Sequence, residues 1–181
     1  MFTNQCQVYK CKVAAFEDTK SAQLGSYLPT DLEMDADEAV TWVIDPEDYK
    51  ADVLFVFENG RVARVALSGY ATKTNRKRLK NAIYGGSKLM YATVLKEERD
   101  LALVSSDFRL VNFNTSLLKT KTTNSTQGVQ ALTIKGSRTV TMVGTAEEFI
   151  GGKAQVEKFR AEKLPSAGAP MKETDMKSLF D

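Results

Sequence analysis

No histidine occurs among the 181 residues, and that absence removes His-containing zinc sites, imidazole acid–base pairs and Ser-His-Asp triads. Cysteine is nearly absent, with only Cys6 and Cys11. Their odd separation along an extended strand points them to opposite faces, so they are expected to be two small buried or half-buried thiols and not a disulfide. Long apolar runs are lacking. No stretch approaches the roughly 20 consecutive apolar residues that span a bilayer, and the opening MFTNQCQVYKCK has polar residues where a secretory signal carries its apolar run. The expectation is a cytoplasmic chain without a membrane partner.

Catalytic motifs are lacking as well. Gly85-Gly86-Ser87-Lys88 and Gly151-Gly152-Lys153 miss the spacing of a phosphate loop. Asp35, Asp37 and Glu38 miss the full calcium-loop pattern and read as a charged loop or a short helix start before Ala39. No tyrosine has a visible activating partner, and no convergent constellation of reactive groups stands out. The chain alone is therefore expected to be no enzyme, to need no cofactor and to bind no metal.

What is present is ample apolar material, 43% of the residues, in a chain long enough to bury a substantial core without crosslinks. The formal net charge is only +2, but its distribution is uneven. Residues 31–57 carry nine acidic side chains and one lysine, whereas residues 58–88 carry one acidic and eight basic ones. Such segregation makes a one-sided field that steers polyanions even when the whole-chain sum is small.

Strand-like segments recur. Residues 53–67, VLFVFENGRVARVAL, read as two strands joined at Asn59-Gly60, a strong hairpin signal because both residues tolerate positive φ. Residues 101–113, LALVSSDFRLVNF, repeat the plan with Ser105, Ser106 and Asp107 at the turn, and FTNQCQVYKCKV near the start is a third copy. Val8, Val62 and Leu110 fall in register at spacings of 54 and 48, the range of repeat modules and propeller blades. Each returning strand is followed by an apolar marker (Phe16, Tyr70, Leu118), a polar connection and a later strand at residues 39–44, 88–95 and 139–143. Because so little sequence precedes the first turn, the chain is expected to begin inside a repeat. Trp42 is expected to pack at an edge between sheets. The region 144–181 reads as a tail with a short helix over 153–164 and a flexible connection at 165–170, PSAGAP.

The polar connections are the candidate binding segments, since surface loops carry function without disturbing a core. In residues 72–80, TKTNRKRLK, the side chains of Lys73, Arg76, Lys77, Arg78 and Lys80 suit phosphate contacts and Asn75 a hydrogen bond. Arg61 and Arg64 on the preceding strand lie across an odd interval and need not share a face; strand twist lets one of them extend the patch, Arg61 before Arg64. Lys119 and Lys121 lie among hydroxyl and amide groups in KTKTTNSTQG, and Lys135 and Arg138 flank a shorter basic turn.

VLFVFENGRVARVALSGY, MFTNQCQVYKCKVAAF, and LALVSSDFRLVNF followed by NSTQGVQAL resemble the repeated signature in the C-terminal domains of DNA gyrase and topoisomerase IV A subunits. The resemblance covers roughly residues 1–143, with Thr126, Gln127, Gly128 and Val129 at the loop-to-strand passage. It implies an all-β fold, a partial β-pinwheel or propeller-like domain of about three blades with a short C-terminal tail. It also implies a non-catalytic, nucleoid-associated module whose outer rim binds and bends duplex DNA. In that family the rest of the A subunit cleaves DNA and an ATPase B subunit completes the complex. The rim role falls on the segments holding Arg76, Lys77, Arg78, Lys119 and Lys121. Two turns depart from the pattern by lacking glycine, at Gln5-Cys6 and Asp107-Phe108, and no glutamine-arginine-rich gyrase box is visible, which leaves two parents, a topoisomerase IV-like A subunit or a divergent gyrase A subunit cut away from its box. A β-repeat scaffold for protein partners, without DNA contact, is the alternative.

Overall fold

The computed structural model describes residues 1–72, 77–151 and 153–175. The first unit holds β1 (Phe2–Thr3), β2 (Val8–Tyr9), a four-residue helix α1 (Leu28–Asp31) and β3 (Val40–Trp42). The second holds β4 (Asp52–Phe57), β5 (Arg61–Ala66), β6 (Arg78–Leu79) and β7 (Leu89–Leu95). The third holds β8 (Asp100–Ser105), β9 (Arg109–Asn114), β10 (Val129–Gln130) and β11 (Val140–Gly144). Two short helices, α2 (Ala146–Phe149) and α3 (Lys153–Val156), and two strands, β12 (Arg160–Ala161) and β13 (Ala169–Pro170), complete the described chain.

The three hairpins turn identically. The amides of Cys6, Gly60 and Phe108 donate to the carbonyls of Thr3, Phe57 and Ser105 at 3.1, 2.9 and 2.9 Å, and all three residues hold positive φ, at 58°, 79° and 57°. The left-handed turn thus survives where the sequence lacks glycine. Asn59, expected to share the positive φ, instead accepts a hydrogen bond from the Arg61 amide through its Oδ1 at 3.2 Å.

Each sheet is completed by a strand from farther along the chain. The first runs β3-β1-β2-β6 and the second β7-β4-β5-β10, so that β6 and β10 leave their own units to pair with the returning strand of the unit before. In the third sheet, β11-β8-β9, the same edge of β9 is covered by β12 in parallel and β13 in antiparallel pairing. The incoming segment is fastened in the same way each time: Ala82, Ala131 and Met171 donate their amides to the carbonyls of Cys6, Gly60 and Phe108 at 2.9, 2.9 and 2.8 Å. The sheets remain open; none closes into a true propeller. The strand exchange satisfies the free edges without closure.

Alternation along the strands sorts the core into layers. Phe2 and Val8 of the first sheet meet Val53, Phe55, Phe57, Ala63 and Val65 of the second, with the Phe2 and Phe55 rings edge to face at 5.1 Å. The opposite face of the second sheet, Leu54, Val56 and Val62, packs on Leu101, Leu103, Val111 and Phe113. Fully burying each such side chain contributes about 1.5–3 kcal/mol. Trp42 packs edge to face on Tyr91 at 5.2 Å, as expected of an inter-sheet position.

Beyond the third sheet, Ala146, Ile150, Val156 and Phe159 cover Ala102, Val104 and Leu110. The helix expected over 153–164 is shorter: α3 ends at Val156, a 3-10 turn (Glu157–Phe159) follows, and the chain then extends into β12. Residues 165–170, expected to be a flexible connection, are fastened to the sheets instead. Thr133 donates its amide to the Ser166 carbonyl at 2.7 Å and Ser166 its own to Ala131 at 3.0 Å. The thiols also differ in part from expectation. Both are free, but Cys11 is exposed and only Cys6 is half-buried.

Candidate nucleic-acid interface

The connection after β9 is held at two points on the edge of β5. Lys121 donates its amide to the Arg64 carbonyl at 2.8 Å and accepts from the Ala66 amide at 2.9 Å, and β10 pairs with Val62 and Arg61. Between these anchors residues 122–128 form a loop, tied to the end of the second hairpin where Asn124 donates to the Gly69 carbonyl at 3.1 Å. Gly128 closes it at φ +66°, where a Cβ would come within 2.0 Å of the Val62 carbonyl oxygen; only glycine fits so close an approach in that backbone region. The Arg61 guanidinium reaches the Gly128 carbonyl at 3.5 Å.

The tail repeats this device. Gly168 has φ +64°, its amide donates to the Ser166 hydroxyl at 3.1 Å as that of Gly128 does to Thr126 at 3.3 Å, and Arg109 holds the carbonyls of Ala167 and Gly168 at 2.8 and 2.6 Å. Sequence reasoning missed this clamp. Its signal is the register of Arg61 with Arg109, each standing immediately before Val62 and Leu110 of the repeat.

The twelve candidate contact residues separate into groups. Lys119 and Lys121 are exposed and meet Arg64 and Gly128 around one shallow cleft. Lys77 and Lys80 are exposed on either side of β6, and Lys135 is exposed on its turn. These five lysines form no salt bridge with a described residue. Lys73, Asn75 and Arg76 lie outside the described residues.

The arginines have partners within the fold. Arg64, with 17% of its side chain exposed, binds Asp52 Oδ2 at 2.6 Å and Glu98 Oε1 at 2.7 Å. Arg78 turns back onto the first sheet, where it donates to Gln7 and Asp35 and lies over the Tyr9 ring at 5.7 Å. Arg138 pairs with Asp107 at 3.2 Å. The stretch read as a single basic loop over 72–80 is thus partly a strand, with its second arginine drawn inward by the acidic segment.

That acidic segment covers the outer face of the first sheet. Glu38 is buried and accepts from the Thr3 hydroxyl at 2.5 Å and the Tyr9 hydroxyl at 2.7 Å. Burial first, and then the Glu38 hydrogen bond, push the Tyr9 phenol up to about 12. The carboxyl of Asp35 is held below its ordinary range, first by the hydrogen bond from Gln7 and then by Arg78. Glu98 is held down by the Thr115 hydroxyl and then by Arg64.

Both carboxylates therefore stabilise the fold fully above their ordinary pKa values, near ~4, and that contribution is lost as pH falls through the lowered folded values. In denaturant titrations at stepped pH, Asp35→Asn is expected to be less stable than the parent at neutral pH, and the gap should narrow below about pH 4. A gap independent of pH would show that the Asp35 charge contributes nothing to stability.

No family model matches the sequence, and no curated protein matches it. Solved structures do match. The chain resembles the C-terminal domain of DNA topoisomerase IV (TM-score 0.70, 21% identity, 82% of this chain and 47% of that one). It also resembles the C-terminal domain of E. coli ParC (TM-score 0.74, 14% identity, 96% of this chain and 76% of that one). The DNA gyrase A C-terminal domain matches at a TM-score of 0.55 and 16% identity, over 82% of this chain and 47% of that one. The fold is that of type IIA topoisomerase C-terminal domains. At these identities the likeness concerns architecture alone, and the chain spans about half the length of two of the three domains. No described helix is long and apolar enough to cross a membrane.

Proposed function

We propose that the chain is a non-catalytic module that binds and bends duplex DNA for an ATP-dependent type IIA topoisomerase. In this reading it presents the transported DNA segment to the rest of the A subunit, which cleaves, and to an ATPase B subunit. The observation that carries the reading is the placement, on the exchanged segments, of lysines without a salt bridge to any described residue. Lys77 and Lys80 flank β6, while Lys119 and Lys121 precede the loop that leads to β10, so the first and second sheets each carry exposed lysines beside the segment that completes them. The hydroxyls and amides of residues 122–127 sit beside them. Such groups suit phosphates, which fix position without reading sequence.

The division of labour between the two kinds of cation supports the same reading. Arg64, Arg78 and Arg138 answer acidic partners inside the fold, which leaves the lysines as point charges for an external polyanion. Little sequence preference is expected, because base-edge readout needs side chains that enter a groove. Duplex affinity measured across a salt series tests this. If four lysines each neutralise one phosphate, log K should fall against log salt with a slope of about −3.6. Weak binding that ignores salt would sink the reading and favour a protein-binding scaffold.

A further inference from the structure

Two crevices occupy corresponding places in the repeat. One lies between the first and second sheets and meets Val8, Lys10 and Tyr70; the other lies between the second and third and meets Val62, Arg64 and Leu118, the same three places in register. They differ in what fills them. The second is closed to about 10 Å³, with the Arg64 guanidinium held by Asp52 and Glu98 and donating to the Thr115 and Leu118 carbonyls at 3.5 and 3.4 Å. The first has a volume of about 250 Å³. Lys10, which lacks the planar fork of arginine, donates to the Thr72 hydroxyl at 2.6 Å and lies 5.8 Å from the centre of the Tyr49 ring. It pairs with no carboxylate of any described residue. One cation of the repeat has its acids, and its counterpart has none.

Around Lys10 the cavity is largely apolar. Phe2, Val8, Leu67 and Tyr70, each at most 4% exposed, form its floor, and the rings of Phe16 and Tyr49 also line it. Val13 and Val43, 88% and 63% exposed, stand at its mouth with Cys11. The other charged side chain that lines it is Asp45, which is exposed and already accepts from the Glu47 amide through Oδ1 at 2.9 Å. Water screens Asp45, whereas Lys10 is half-buried, so the stronger charge recognition lies with the ammonium. An apolar pocket with one well-placed polar group is the usual form of a small-molecule site.

We propose that this cavity binds a small planar aromatic acid. The rings enter between the first and second sheets against Phe2, Tyr49 and Tyr70, and the carboxylate pairs with Lys10 as Asp52 and Glu98 pair with Arg64 in the corresponding crevice. An apolar cavity of about 150 Å³ suffices for benzene, so about 250 Å³ takes two fused rings. The charge-assisted hydrogen bond to Lys10 fixes the orientation of the acid and discriminates against neutral analogues of the same shape. The site lies apart from the lysine rim, and the inference is independent of DNA binding.

Naphthalene-2-carboxylate is the probe, titrated into the full chain near neutral pH, with naphthalene-2-carboxamide and naphthalen-2-ylmethanamine as the neutral and cationic controls. The acid should bind with a Kd of about 0.1 mM or tighter, and the two controls at least about tenfold more weakly. At saturation it should slow maleimide labelling of Cys11 at least about fivefold, because the occupied mouth shields the thiol. Lys10→Met, which keeps the apolar stem and removes the charge, should erase the preference for the acid while the unfolding midpoint stays close to the parent's. Absence of binding up to about 1 mM acid, or equal binding of acid and carboxamide, would overturn the proposal. So would a preference for the acid that survives in folded Lys10→Met, or binding that leaves Cys11 labelling unchanged, which would place the probe elsewhere. Tighter binding of the amine would make Asp45 the recognising group and overturn it as well.

Discussion

Gly128→Ala is expected to destabilise the chain by about 3 kcal/mol, which for a domain of this size lowers Tm by roughly 6–12 °C. Two effects add. The backbone at φ +66° is unfavourable for any residue with a Cβ, and that Cβ would lie 2.0 Å from the Val62 carbonyl oxygen, an atom that belongs to β5 and cannot move without disturbing the second sheet. Gly60→Ala belongs to the same class, since its Cβ would lie 2.2 Å from the Leu132 carbonyl oxygen. Phe108→Gly provides the contrast. Phe108 occupies the equivalent turn position at φ +57° with a half-exposed ring, so glycine relieves left-handed strain of about 1 kcal/mol against a more flexible unfolded chain. Thermal unfolding should rank Phe108→Gly at or slightly above the parent and Gly128→Ala far below it. A neutral Gly128→Ala would mean that the donated strand does not approach β5 as closely as described.

Arg64→Ala is expected to cost about 2 kcal/mol. The loss arises chiefly because Asp52, whose side chain is 14% exposed, then keeps the Thr120 hydroxyl at 2.7 Å but no cation among the described residues. Glu98 is more exposed and adds less, because water screens it. The distinguishing feature is where the effect falls. As a residue that joins β4, β5 and the segment before β8, Arg64 should change the unfolding midpoint and leave the salt slope of DNA binding unchanged. Combining it with Asp52→Asn should recover part of the loss, because no unpaired carboxylate then remains. Additive losses in the double variant would contradict the pairing.

The repeat was legible because its signals are local. Alternating apolar residues, Asn59-Gly60 and the regular spacing of Val8, Val62 and Leu110 located all three hairpins, and the resemblance they carried agrees in architecture with the topoisomerase C-terminal domains. Cys6 and Phe108 were legible only as departures. That they keep the left-handed turn follows from hydrogen bonds on both sides of the residue, to Thr3 and Ala82 for Cys6 and to Ser105 and Met171 for Phe108. The second partner of each comes from the next donated segment, far along the chain, where no local pattern reaches.

The same limit applied to the candidate interface. The lysines are exposed ends of connections, as the polar composition around them suggests, but the fate of the arginines depended on distant carboxylates: Glu98 for Arg64 and Asp35 for Arg78. No local pattern announces such pairs. The tail was the least legible part. PSAGAP has the composition of a linker, and only its placement against β9 and Leu132 reveals Gly168 as the counterpart of Gly128.

The most direct test compares the salt dependence of duplex-DNA binding in the parent chain and in a variant with Lys77, Lys80, Lys119 and Lys121 all changed to alanine. These side chains lie outside the core, so the variant should fold with an unfolding midpoint close to the parent's. If they are the phosphate-binding rim, the slope of log K against log salt should become shallower by about 3 to 4 units, with affinity at low salt falling sharply. An unchanged slope in a folded variant would contradict the account and place any DNA contact elsewhere on the molecule.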